Sequence, residues 1–347
     1  MSGTSEPPQP ADDLRTAQSA LQQLMSGYRV TQLLAVAVRL GLADHLAAGP
    51  MPAYELAAAV GAHPDALHRA LRGLAAVGVF SEVTPGVFGL TPLADLLRRD
   101  HPMSMRAIIQ YNAVEPYEAW TDLEYAIRTG APAFDHHFGA SHFAYMAQHP
   151  KTNDPFNRSM SENSRRSNAA VVAAYDFTSA ATIVDIGGGQ GALIAAILRA
   201  NPTLRGVLFD QPHVVKGALP ALEDAGVAER CGRVGGDFFT SSYPAGDIYT
   251  LRQVIHDWDD DQSIAILRGC AQVMPPHGRV LIIEVPIEPG ATSSYGVFLD
   301  LQMLVMNGGR QRTLDEFRHL FTAAGLRLIR VIHTASDFAI LEGERVE

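Results

Sequence analysis

From Ala181 to the end of the chain, short runs rich in β-branched residues alternate with amphipathic segments, and that alternation leaves few folds open. Strands are predicted at 182–186, 206–209, 233–235, 248–251, 280–284, 327–332 and 338–341. Helices are predicted between them at 192–200, 214–225, 260–273, 296–306 and 314–324. Strand and helix in alternation over this length imply an α/β architecture, an open, doubly wound, mostly parallel sheet. A ligand then belongs at the carboxyl ends of the first strands.

The chain has 347 residues, 47% of them hydrophobic, which is long for one domain and sufficient for two packing units. Three stretches are expected: a helical, winged-helix-like part at 1–103, a helical connecting segment at 104–175, and the α/β part at 176–347. In the first, apolar residues including Leu21, Leu24, Met25, Tyr28, Leu33, Leu34 and Val38 recur at helical spacing over more than one side of a helix, which predicts a subunit interface. Further on, 54–61 and 64–77 read as helix, turn and helix, followed by a hairpin turned at Pro85-Gly86. Such a unit can read DNA, but its second helix offers only His63, His68, Arg69 and Arg72, and the chain carries a net charge of −10. Nucleic acid and anionic lipid are therefore poor partners, and a homodimer is the better expectation. Two cysteines, no secretion signal and no run of about 18 apolar residues predict a soluble cytoplasmic protein.

The chemistry is concentrated in four places. Val184-Asp185-Ile186-Gly187-Gly188-Gly189-Gln190-Gly191 joins the first predicted strand to a helix. Glycines there let the backbone turn tightly and bring a ligand to the helix N-terminus. Gly187, Gly189 and Ala192 also fit a dinucleotide fingerprint, so the loop alone does not separate a nicotinamide oxidoreductase from other uses. Asp210 ends the next strand, where a carboxylate can hold two ribose hydroxyls. Gly236-Asp237-Phe238-Phe239 places a carboxylate beside rings, which suits an adenine but also suits a capping Asp beside core residues. Arg252 and His256 follow in Leu251-Arg252-Gln-Val-Ile-His256-Asp257-Trp258-Asp259-Asp260.

In this order the motifs resemble the class I methyltransferases of the caffeic acid O-methyltransferase type, in particular bacterial relatives that tailor polyketide, mitomycin and phenazine products. The resemblance runs over nearly the whole chain. It implies a Rossmann-like seven-stranded domain with an antiparallel last strand, preceded by a helical dimerisation domain, and it implies S-adenosylmethionine as cofactor. The implied cofactor residues are Gly187, Gly189, Asp210, Asp237, Phe238, Arg252 and, for the methionine carboxylate, Ser164. The acceptor is implied to be a small aromatic molecule methylated on a hydroxyl, with an aromatic amine as the alternative. Met303, Asn307, Phe156 and Met160 are its expected contacts. His256 matches the general base and Glu284 the acid that orients it. A histidine suits the task, because an imidazole with pKa near ~6.5 can accept the proton of a phenol near ~10.

One position departs from the pattern. Many relatives carry a second acid before the Arg-Thr of Gly308-Gly309-Arg-Gln311-Arg312-Thr313, and here it is Gln311. Base catalysis is then expected to be modest, with most of the acceleration coming from holding the acceptor in line. Some relatives have also drifted into other reactions while keeping the cofactor. His136, His137, His142 and His149 fit no metal-binding spacing and are read as pocket or surface residues, so no metal is expected.

Overall fold

The computed structural model describes residues 10–149, 167–288, 290 and 294–346. The chain falls into two compact units, Met1–Glu115 and Pro116–Glu347, so the segment expected at 104–175 is divided between them.

In the first unit the helices Pro10–Met25 and Gly27–Leu40 are followed by Ala53–Val60 and Pro64–Ala76. His63 caps the last of these, with Pro64 in its first turn. A small antiparallel sheet joins β1 (Met51–Pro52), β3 (Val87–Leu90) and β2 (Phe80–Thr84) in that order. The helix, turn, helix and hairpin expected from sequence are therefore present. Their core is formed by Val38, Leu42, Leu56, Leu67, Leu71, Leu74, Phe80 and Phe88. Leu14, Leu21, Leu24 and Met25 stay exposed along the first helix.

The second unit holds a seven-stranded sheet, built from β4 (Thr182–Ile186), β5 (Arg205–Asp210), β6 (Cys231–Gly235), β7 (Ile248–Arg252), β8 (Arg279–Glu284), β9 (Leu326–His333) and β10 (Ala339–Arg345). The order is β6-β5-β4-β7-β8-β10-β9. The strands from β6 to β8 are parallel, and β10 runs antiparallel to both its neighbours. All seven predicted strands are found. The helix predicted over 214–225 is instead two short ones, Pro212–Gly217 and Leu219–Asp224. Pro220 at the start of the second supplies no backbone N–H and so cannot continue the first.

Side chains alternate between the two faces of the central strands. Ile183, Leu281, Ile283 and Ile340 enter one core with Ile194, Ile197 and Leu198 of the Ala192–Ala200 helix. Val184, Ile186, Val280, Ile282 and Leu341 enter the other with Ile266 and Leu267 of the Asp260–Val273 helix and Phe317 and Phe321 of the Leu314–Ala323 helix. With both faces covered, the parallel strands read as nearly continuous apolar runs. A third cluster packs Ala119, Ala126 and Phe134 against Val305 and Met306 of the Ser294–Met306 helix. Among the described residues no single helix is long and apolar enough to cross a membrane.

Candidate active site

Asp185, Asp210, Arg252 and Glu284 all stand at the carboxyl ends of β4, β5, β7 and β8, on the edge where an open α/β sheet presents a crevice. The loop leaving β4 turns through Gly187, Gly189 and Gly191 with φ of 66°, 58° and 80°, a region closed to most side chains. A Cβ on Gly187 would lie 2.7 Å from Val254 and 3.1 Å from the Phe238 ring, whereas one on Gly189 would meet nothing within 4 Å. The loop is thus tight on one side and open on the other, as a cradle for a ligand must be.

Asp210 closes that cradle. Its Oδ2 accepts the Gly189 N–H at 2.8 Å and its Oδ1 accepts the Gln211 N–H at 2.7 Å, which aligns both carboxylate oxygens. Burial pushes its pKa up, and the two amides oppose that shift. Asp185 lies almost wholly buried; Oδ1 accepts from Thr250 Oγ1 at 2.7 Å, while Oδ2 has no hydrogen-bond partner. Burial raises its pKa to about 7. A buried polar atom without a partner beside the glycine loop is what a polar ligand there would satisfy. Arg252 reaches Ser167 Oγ at 2.6 Å and lies over the Phe338 ring, and burial lowers its pKa to about 10.

Asp237 does what the plainer expectation allowed: its Oδ1 accepts the Phe239 N–H at 2.8 Å, capping its own turn. Phe238 is half-buried, edge-on to Trp258 with centroids 6.1 Å apart. Ser164, Phe156 and Met160 lie outside the described residues.

Beyond β7 the chain bends through Gln253, whose φ of 52° is the only positive value at a non-glycine among the described residues. Such a backbone costs roughly 1–3 kcal/mol and persists where the surroundings enforce it. The bend leads into a single 3-10 turn, Ile255–Asp257, that carries His256 back over the end of β8. The His256 amide donates to Glu284 Oε1 at 3.3 Å, and Nδ1 lies 3.2 Å from Glu284 Oε2. Both side chains are buried.

Gln311 occupies the same side of the ring, its amide Nε2 2.6 Å from His256 Nδ1 and its Oε1 buried without a partner. One nitrogen cannot accept from an amide and donate to a carboxylate together. With the carboxamide turned over, Nδ1–H donates to Gln311 Oε1 and to Glu284, and Nε2 is left bare as the base.

Asp257 stands at the other nitrogen, its Oδ1 3.6 Å from His256 Nε2 and 2.7 Å from Asn307 Nδ2, which donates to it. Burial by itself lowers the His256 pKa, but Glu284 and Asp257 more than offset it and raise it to about 9. Asp257 is itself pushed up to about 6 by burial, against the pull of His256. The positive charge expected to lose support with Gln311 is therefore supported from Asp257, a neighbouring carboxylate to which the sequence motif assigns no role.

Arg312 is fully buried and braces this turn, donating to the Ile255 carbonyl at 2.9 Å, the Trp258 carbonyl at 2.8 Å and Asp260. The position was visible in the Gly-Gly-Arg-Gln-Arg-Thr run, yet nothing in the run says which backbone it would hold. Asn307 lies beside Asp257, and Met303 is buried one turn before it, its carbonyl accepting the Asn307 N–H. Phe143 stacks near Trp258 at 6.5 Å. His136 and His137 face Asp122, His149 stacks on Tyr145, and His142 is buried near Phe134.

Comparison with known proteins bears on this geometry. Residues 120–327 match the family model of the O-methyltransferase domain, and residues 22–100 that of the O-methyltransferase dimerisation domain. The chain is 48% identical to the phenazine O-methyltransferase PhzM of Lysobacter antibioticus over 94% of its own length and 96% of the relative's. The solved mitomycin 7-O-methyltransferase MmcR is similar at 37% identity, with a TM-score of 0.90 over 97% of this chain and 100% of that one. The O-methyltransferase NcsB1 from neocarzinostatin biosynthesis, solved with S-adenosylmethionine and 2-hydroxy-5-methyl naphthoic acid, is 35% identical, with a TM-score of 0.79 over 91% and 96%.

Proposed function

The chain belongs to the S-adenosylmethionine-dependent O-methyltransferases, and on that footing we propose that it methylates a ring hydroxyl of a small aromatic natural product with His256 as general base. The observation that carries the reading is the buried imidazole at the carboxyl edge, its Nδ1 faced by Gln311 and Glu284 and its Nε2 toward Asp257. S-adenosylmethionine, when bound, supplies a methyl group made electrophilic by its sulfonium. Gly187 and Gly189 give it backbone access, Asp210 takes the ribose hydroxyls, Asp237 and Phe238 take the adenine, and Arg252 and Ser164 face the methionine end. Met303 and Asn307, with Phe156 and Met160, line the acceptor. His256 Nε2 removes the hydroxyl proton, and Glu284 stabilises the imidazolium that forms.

The same reading makes the enzyme a cytoplasmic homodimer, with a second copy covering Leu14, Leu21, Leu24 and Met25. It involves neither nucleic acid nor membrane as partner.

The test has two parts. S-adenosylmethionine at about 100 times its Kd stabilises the fold by about 2.7 kcal/mol, while NAD at equal concentration leaves the melting temperature unchanged. Asp210→Ala is expected to weaken S-adenosylmethionine binding by about 10–100-fold in calorimetry, since charge-assisted hydrogen bonds are lost. Incubation with hydroxylated phenazines, naphthoates and benzoates should then yield products heavier by one methyl group. Stabilisation by NAD alone, or cofactor binding with no methylated product from any aromatic hydroxyl, overturns the reading.

A pH dependence follows from the raised His256 pKa. The base must be neutral, and the free enzyme holds its proton up to about 9. Below that value kcat/KM is expected to rise about tenfold per pH unit and to level off above it. The limb should stay in place when a phenol of pKa near ~10 is exchanged for a more acidic one. A limb that moves with the acceptor's own pKa assigns the titration to the acceptor instead.

A further inference from the structure

Asn168 is a buried polar side chain for which the mechanism above has no use. It lies in the helix at 167–174 and is 2% exposed, yet neither its Nδ2 nor its Oδ1 has a hydrogen-bond partner among the described residues. A carboxamide offers two N–H donors and two acceptor lone pairs, and leaving them all unpaired away from water is costly. Native folds keep such a group where a ligand or an ordered water completes it.

Helical geometry places the amide. Residues three and four apart share a face, so Ser167 and Asn168 flank the face of Val171, one turn nearer the start of the helix. Val171 is fully buried in the core that holds Ile283, Phe338 and Ile340. Ile283 is the register partner of Arg252 on β7 and of Ile340 on β10, so this face covers the carboxyl edge of the sheet. Ser167 shows how near the site it comes: its Oγ accepts from the Arg252 guanidinium at 2.6 Å, and that guanidinium lies over the Phe338 ring. On the same side of the sheet the glycine loop runs into the Ala192–Ala200 helix, whose Leu193 and Ile194 belong to the same core. Asn168 therefore stands at the end of the crevice where Arg252 stands.

We propose that Asn168 binds the methionine carboxylate of S-adenosylmethionine, donating from Nδ2 beside the Arg252 guanidinium. The inference rests on the reading of Arg252 as facing the methionine end of the cofactor. A carboxylate has more acceptor sites than are filled by one guanidinium that already donates to Ser167. A neutral amide supplies a further hydrogen bond without placing another positive charge near a cofactor whose own sulfonium is positive. The ammonium of the same amino acid suits this spot poorly, since it would lie against the Arg252 charge.

The experiment titrates wild type, Asn168→Leu and Asn168→Asp by calorimetry with three compounds. These are S-adenosylhomocysteine, its decarboxylated form, which lacks only the carboxylate, and 5′-methylthioadenosine, which lacks the amino-acid end. Asn168→Leu should weaken S-adenosylhomocysteine binding about tenfold and leave the other two affinities within about twofold of wild type. Asn168→Asp should weaken S-adenosylhomocysteine binding at least as much, since one carboxylate then faces another. Asn168→Ala, which removes the amide without adding apolar bulk, carries the same expectations where the leucine variant does not fold. An S-adenosylhomocysteine affinity within about twofold of wild type, or a loss shared equally by 5′-methylthioadenosine or by the decarboxylated compound, overturns the proposal. Failure of the wild type to bind S-adenosylhomocysteine would instead remove the reading of the cofactor site on which it stands.

Discussion

Replacing His256 with alanine is expected to lower kcat/KM for a phenolic acceptor by about 10²–10⁴-fold and to leave S-adenosylmethionine binding within about twofold of wild type. The size of the effect follows from the surroundings of the ring. Its Nδ1 side is closed by Gln311 at 2.6 Å and Glu284 at 3.2 Å, so the imidazole is held in one orientation and one tautomer. A phenol near ~10 is a poor nucleophile until its proton leaves. Gly187 and Gly189, in the loop leaving β4, and Asp210, at the end of β5, are the residues proposed to hold the cofactor, and the substitution leaves the Gly189–Asp210 contact untouched. Single-turnover rates and calorimetric titration measure the two quantities separately. A variant that keeps more than about a third of wild-type kcat/KM excludes base catalysis by His256 and leaves positioning alone to explain the rate.

Glu284→Gln and Gln311→Glu bear on the same ring from opposite directions. Glu284 contributes a negative charge that favours the imidazolium, and its loss lowers the His256 pKa. A second acid at 311 adds to that charge and raises it. The departure at Gln311 therefore tempers a histidine already raised to about 9 by Glu284 and Asp257, and a further acid would move the enzyme's working range still higher.

How much of this could be read from the residues alone depended on whether the chemistry was local. Most of the strands were legible because they alternate or run apolar, a signal carried by the segment itself; β6, Cys-Gly-Arg-Val-Gly, was placed only by its position in the alternation of strand and helix. The glycine loop, Asp210, His256 and Glu284 could be proposed together because each ends or closely follows a strand, and parallel strands put their ends on one edge. Asp257 carries no role in the sequence motif, and the cap of the helix that follows is Asp259, its side chain accepting the Gln262 N–H. What turns Asp257 toward His256 Nε2 is Asn307, 50 residues along the chain, through a hydrogen bond with no local signature. The burial of His142 was likewise not legible. Its spacing fits no metal motif, and burial beside Phe134 is what distinguishes it from the exposed His136 and His149. The break between Pro212–Gly217 and Leu219–Asp224 was missed because amphipathic periodicity continues across Pro220 while the hydrogen-bond ladder does not.

Arg312→Met is expected to destabilise the Pro116–Glu347 unit by about 3 kcal/mol and to lower its melting temperature by about 6–12 °C. The guanidinium is fully buried and donates to the Ile255 and Trp258 carbonyls, to Asp260 and, at 3.5 Å, to the Arg310 carbonyl. The Asp260 carboxylate is nearly half exposed, so its pairing contributes little. The cost lies with the two carbonyls. After the substitution the Ile255 carbonyl keeps the Trp258 N–H at 3.3 Å, and Ser263 Oγ, at 3.3 and 3.4 Å from the two carbonyls, is the side-chain donor left among the described residues, so the pair loses its two shortest, charge-assisted hydrogen bonds without like replacement. Because those carbonyls flank His256, the same change should reduce kcat by at least tenfold at saturating cofactor, through loosening of the turn rather than loss of binding. Arg312→Lys distinguishes charge from geometry. It restores the positive charge but lacks the planar fork that reaches both carbonyls, and it should remain within about 1 kcal/mol of the methionine variant. A lysine variant that melts like the wild type would assign the effect to charge. A methionine variant that melts within about 2 °C of wild type would show that the turn carrying His256 is held by the Gln253 bend and the Glu284 contact alone.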